Sequence, residues 1–109
     1  MRLSDIGILT HEAYKNAIEK GLLDGLDNPA YLKRATVNKL EEEVGEFCNS
    51  SPMFGFTKDS EQSEIADIII VLMTYSKAMG YDLEKAIIEK MNFNSTRPYK
   101  HEEYCNERD

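Results

Sequence analysis

The sequence predicts an all-α fold, a bundle of four to five helices, and three observations carry that expectation. Apolar residues recur at three- and four-residue spacing in several segments. Ser, Thr, Asn, Asp, Pro or Gly punctuates the chain between those segments, at positions that start or stop helices. The β-branched run Ile68-Ile69-Ile70-Val71-Leu72 offers a strand as the alternative, yet no alternating strand or hairpin signal flanks it, so a strand there has nothing to pair with.

The first helix is expected to begin after Thr10, whose hydroxyl can cap His11-Glu12-Ala13, and to end near Gly21. Ile8, Leu9, Tyr14, Ala17 and Ile18 supply its apolar side. Asp24-Gly25-Leu26-Asp27 reads as a turn, and Asn28-Pro29 opens a second helix as N-cap followed by proline at the first helical position. That helix runs from about Pro29 to about Cys48. At about 100° per residue, Leu32, Leu40, Val44 and Phe47 share one arc, with Glu43 inside it and Glu46 at its edge. Gly45 costs a helix interior about 1 kcal/mol relative to alanine, which suggests close approach of another backbone, a metal or a ligand.

Asn49 to Asp59, with Ser-Ser-Pro and Phe54-Gly55-Phe56, has the composition of a loop. Asp59 or Ser60 can cap a third helix that reaches Met79, with Gly80 as its terminator. Its centre, Ile65 to Met73, is apolar on nearly every side, as expected of a helix buried between partners. Asp82 caps a fourth helix from Leu83 to about Asn92, with Ala86, Ile87 and Met91 facing inward, and Pro98 marks a stop. The polar stretch 99–109 forms a frayed tail.

Residues 1–109 form one domain: an N-terminal helix and turn at 1–28, motif-bearing helices at 29–98 and the tail. At this length, an oligomeric interface can supply much of the buried area. The composition, 41% hydrophobic with no low-complexity tract, is that of a folding chain. A net charge of −7 disfavours nucleic-acid backbones and anionic membranes as partners. No apolar run approaches the roughly 20 residues of a membrane span, and Met1-Arg2-Leu3-Ser4-Asp5 lacks the pattern of a signal peptide, so the expected location is cytoplasmic. Cys48 and Cys105 have no metal-type spacing and read as free thiols.

The chemistry lies in two acidic motifs, Glu43-Val44-Gly45-Glu46 and Glu64-Ile65-Ala66-Asp67. Residues three apart share a helix face, so each motif points two carboxylates the same way. Asp67 interrupts an isoleucine-rich run, and Glu43 lies among core positions; a solvated acidic surface explains neither. Four carboxylates together suppress one another's ionisation unless a positive charge joins them. A hard divalent cation with oxygen ligands, Mg2+ or its substitute Mn2+, answers that need. A carboxylate-bridged iron or manganese bundle calls for Glu-x-x-His motifs, and neither histidine lies near a motif acid.

The stretch Lys39-Leu40-Glu41-Glu42-Glu43-Val44-Gly45-Glu46-Phe47, followed by Glu64-Ile65-Ala66-Asp67 with seventeen residues between Glu46 and Glu64, resembles the MazG-like all-α nucleoside triphosphate pyrophosphohydrolases. The resemblance spans about Ala30 to Arg97. It implies a helical bundle that assembles as a homodimer or homotetramer and hydrolyses the α–β anhydride of a nucleoside triphosphate to the monophosphate and pyrophosphate. By that resemblance Glu43, Glu46, Glu64 and Asp67 are the Mg2+ ligands, and Glu42 or Glu43 stands ready as catalytic carboxylate. Lys90, Asn94 and Arg97 look like the family's phosphate ligands. His11, Tyr14, Phe54 and Phe56 are the candidates for contacts with the base. The same resemblance extends to phosphoribosyl-ATP pyrophosphohydrolase, and a catalytically silent, metal-stabilised dimer is the non-enzymatic alternative.

Overall fold

The computed structural model describes residues 5–21, 27–50, 55 and 57–97, and these hold four helices: α1 (Asp5–Glu19), α2 (Pro29–Asn49), α3 (Lys58–Ala78) and α4 (Leu83–Ser95). No strand occurs among them, so the all-α expectation holds and the run Ile68–Leu72 is helical. Helix α3 is the centre of the arrangement. Helices α1 and α2 both pack along it, and α4 rests more lightly on α1 and α3.

The local signals that set two of the helix starts act as the sequence predicts. Asn28 Oδ1 accepts a hydrogen bond from the Tyr31 amide at 3.2 Å, with Pro29 at the first helical position of α2. Asp82 Oδ1 accepts from the Lys85 amide at 3.0 Å and so caps α4. Gly80, at φ +74°, ends α3 by donating to the Lys77 carbonyl while Tyr81 donates back to that of Ser76, the paired bonds of a left-handed C-terminal cap. The Tyr81 ring then meets Tyr75 edge to face at 6.4 Å.

Other expectations are corrected. Helix α1 starts six residues before the predicted position, with Asp5 in its first turn, where the helix dipole favours an acid. Thr10 is therefore no cap: it is buried inside the helix, and its hydroxyl donates to the Ile6 carbonyl at 2.6 Å. The buried side of α1 is Ile6, Thr10 and Ala17, while Ile8, Leu9 and Ile18 are exposed. Helix α3 begins at Lys58 because the Thr57 hydroxyl, and neither Asp59 nor Ser60, accepts the capping bond from the Ser60 amide, at 3.1 Å. In α4, Ala86 and Met91 are exposed and only Ile87 is partly covered, because the light packing of α4 leaves most of its surface to solvent. Val44 is also exposed, although Leu32 from the same predicted arc is buried.

Gly45 has open space where a side chain would begin, so the close approach expected there does not occur among the described residues. The described residues hold a small core, Ile6, Ala17 and Leu32. Helix α3 buries no large apolar side chain, and Ile65, Ile69, Ile70 and Leu72 are all more than two-fifths exposed. No helix among the described residues is long and apolar enough to cross a membrane. Truncating a cap should report on the cooperativity of this open bundle. Asp82→Ala is expected to cost about 1 kcal/mol of stability, read from urea denaturation followed by circular dichroism.

Candidate metal centre

Helices α2 and α3 lie against each other so that the two acidic motifs converge. One carboxylate oxygen from each of Glu43, Glu46, Glu64 and Asp67 lies within 4.8 Å of the other three. Glu43 is buried, Glu64 and Asp67 are partly buried, and Glu46 is exposed. The gradient follows from the geometry of α2. Glu43 falls on the side that also buries Leu32, and Glu46, three residues on, reaches the same cluster from the solvent edge.

The polar bookkeeping of the cluster is incomplete. Lys39 Nζ lies 3.0 Å from Glu43 Oε1 and 3.6 Å from Glu42 Oε1. Glu43 Oε2 and Glu64 Oε2 are buried and meet no hydrogen-bond donor. A buried oxygen without a partner costs on the order of 1–3 kcal/mol, and more when it carries charge. Four carboxylates with two such orphaned oxygens form the donor set that a hard divalent cation takes, so the residues fit Mg2+ or Mn2+ by their chemistry.

The electrostatics agree with that fit. The Glu43 charge raises the Glu46 carboxyl above its ordinary value, helped by hydrogen bonding to Glu43, by burial and by Glu64. Ionised carboxylates only accept hydrogen bonds, so a proton on Glu46 supplies the donor that Glu43 lacks. Hydrogen bonding to Glu43 raises the Lys39 ammonium in turn, against a smaller opposing effect of burial.

Beside the cluster lies a groove of about 850 Å³ between α1, α2 and α3. Leu9, Ala13, Ala17, Leu32, Ile70 and Met73 make it largely apolar, with Asn16, Thr36, Thr74 and Tyr75 as polar contacts. Glu43 and Asp67 line it too, and so does Lys39. Lys39 was part of the acidic motif's sequence but carried no role there; its four-residue spacing from Glu43 is the signal that could have revealed the pairing.

The remaining predicted site residues lie outside the cluster. Glu42 is exposed and shares Lys39. His11 is exposed and Tyr14 partly buried on α1, and neither lines the groove. Lys90, Asn94 and Arg97 are exposed at the end of α4 and beyond it, and none of them lines the groove. Lys90 Nζ and Arg97 Cζ both sit over the Phe93 ring, at 5.7 and 4.9 Å from its centroid. Phe54, Phe56 and Cys105 lie outside the described residues, as do Pro98 and the tail; Cys48 is a free, exposed thiol. Comparison of the chain with protein-family models, curated proteins and solved structures finds no match.

A metal at this cluster couples stability to pH with a defined sign. Because Glu46 is raised in the folded chain, its favourable contribution is complete below the ordinary carboxylate range and is lost as pH rises through its raised value. A divalent cation held at the cluster would act in the opposite sense, since it would compete with protons for the ionised carboxylates. At about a hundred times its Kd, Mg2+ should contribute about 2.7 kcal/mol, a rise in melting temperature on the order of 10 °C. Thermal denaturation with Mg2+ and with EDTA should show that difference widening between about pH 5 and about pH 7. A pH-independent difference would contradict the cluster as the binding site.

Proposed function

We propose that the protein is a Mg2+-dependent nucleoside triphosphate pyrophosphohydrolase that releases a nucleoside monophosphate and pyrophosphate and serves nucleotide-pool housekeeping. The observation that carries this reading is the convergence of both acidic motifs into one four-carboxylate cluster with two buried, unpartnered oxygens. The resemblance of those motifs to the MazG-like family supplies the reaction. Glu43, Glu46, Glu64 and Asp67 would hold the metal, which when bound neutralises charge on the phosphate oxygens and makes a water nucleophilic at neutral pH.

The chain's own residues then divide the remaining work. Glu42, next to the cluster yet outside its donor set, serves as general base for the attacking water. Lys90, Asn94 and Arg97 bind the pyrophosphate, Arg97 by its planar pair of donors and Lys90 as a point charge. The groove takes the nucleoside, because it is apolar enough to remove a base from water and it shares Glu43 and Asp67 with the cluster. No nucleic acid and no membrane is needed.

The reading also includes a homodimer or homotetramer. The described residues bury a small core, so the helices leave much of their surface uncovered. Part of that surface is apolar and belongs to helices: Val37 and Val44 on α2, and Ile65, Ile69 and Leu72 on α3. A second copy covering this face would provide the burial that α3 lacks. Ile65→Lys is expected to shift the protein to monomer in light scattering coupled to gel filtration, while Lys77→Glu, an exposed exchange of charge at the end of α3, leaves the assembly unchanged.

A panel of canonical and modified nucleoside triphosphates with Mg2+, scored for monophosphate plus pyrophosphate against diphosphate plus phosphate, tests the reaction. Pyrophosphate release should fall by about a hundredfold or more in Glu43→Gln and in Asp67→Asn. Turnover of phosphoribosyl-ATP alone would select that substrate instead, and intact metal binding without any turnover would leave a silent dimer.

A further inference from the structure

We propose that Lys39 is an electrostatic placeholder: it neutralises Glu43 in the metal-free protein and contacts the phosphate oxygens of a ligand once a divalent cation has taken Glu43 over. This inference rests on the metal-centre reading above. The two ends of the Lys39–Glu43 pair differ sharply in burial. The Glu43 side chain is 8% exposed and the Lys39 side chain 52%, with 3.0 Å between them. Glu43 therefore cannot lose its partner cheaply, whereas Lys39 can change partners without leaving water.

Two further observations give the exchange a direction. Lys39 engages only Oε1 of Glu43, so the buried Oε2 is left without a donor and available to a metal. Lys39 also lines the groove together with Glu43 and Asp67, so a ligand that reaches from groove to cluster meets an ammonium beside the carboxylates. In the metal-free state that ammonium offsets carboxylate repulsion. A bound divalent cation places a second positive charge near it, which weakens its hold on Glu43 and turns it towards an incoming anion.

These roles predict three effects of opposite sign in one variant, which a lysine that merely braces Glu43 would not produce. The full chain is titrated with Mn2+ by calorimetry, the Mn2+-loaded protein is then titrated with inorganic pyrophosphate, and the EDTA-treated protein is melted. Lys39→Met should melt lower without metal, bind Mn2+ about three- to tenfold more tightly and bind pyrophosphate about tenfold more weakly. Lys39→Gln serves the same comparison should the methionine variant not fold. Lys33→Met, an exposed lysine on the same helix, corrects for the change in net charge and should alter neither binding constant.

Unchanged or weakened Mn2+ affinity in both Lys39 variants would overturn the placeholder role while leaving the metal centre standing. Unchanged pyrophosphate affinity would likewise overturn it. Failure of the parent protein to bind Mn2+ at all would overturn the metal centre and this inference together.

Discussion

The burial of the Glu43 carboxylate is the constraint to which the rest of the site answers. A charge that has left water must be paired, and truncating one partner of such a pair is far more damaging than never having built it. Here the pairing is half complete. Lys39 satisfies one oxygen, the other has no hydrogen-bond partner, and the carboxyl group shares its site with three more carboxylates. The fold holds that arrangement because α2 must lie against α3 to bury Leu32, and the same helix face carries Glu43 eleven residues on, three turns along. Packing and charge are thus set by one surface, and relieving the repulsion by moving the helices apart would open the small core.

The apolar character of α3 has a similar double effect. Its inward side meets α1 and α2, but the three helices do not fill the space between them, and the groove next to the cluster is the result. Helix α3 also leaves Ile65, Ile69 and Leu72 exposed at four- and three-residue spacing, Ile69 lining the groove as well. Ile65 immediately follows Glu64, and Val44 immediately follows Glu43. Each of these apolar residues thus lies about 100° around its helix from a cluster carboxylate.

What was legible in the sequence was what is decided locally. Asn28-Pro29, Asp82 and Gly80 act within one turn of backbone, so residue type alone reveals them. The convergence of the two motifs was legible because a three-residue spacing fixes a shared face, and Asp67 among isoleucines marks the second helix. Burial was less so. Thr10 has the chemistry of a cap, but with Ile6 and Ala17 available to pack, tertiary contact extends α1 through it. Ala86 and Met91 have helical spacing towards a core that α4 does not possess. Gly45 announced an approaching group, and among the described residues there is none. Partner choice was the hardest step: Lys39 could have paired with Glu42 alone on a solvated surface, and only the burial of Glu43 distinguishes the two.

Charge also orders the events at such a site. The chain carries −7 overall, and four of its acids meet in the cluster, so a polyphosphate approaching the metal-free protein meets repulsion at close range as well as at a distance. Lys39 offsets a single unit of that charge and is itself held by Glu43. A divalent cation changes the balance in two ways. It would cancel carboxylate charge directly, and it would compete with the proton that the Glu43 charge favours on Glu46. On the proposed reading, metal precedes the phosphate chain or arrives bound to it, and the acidic protein selects anions that come with their own cation.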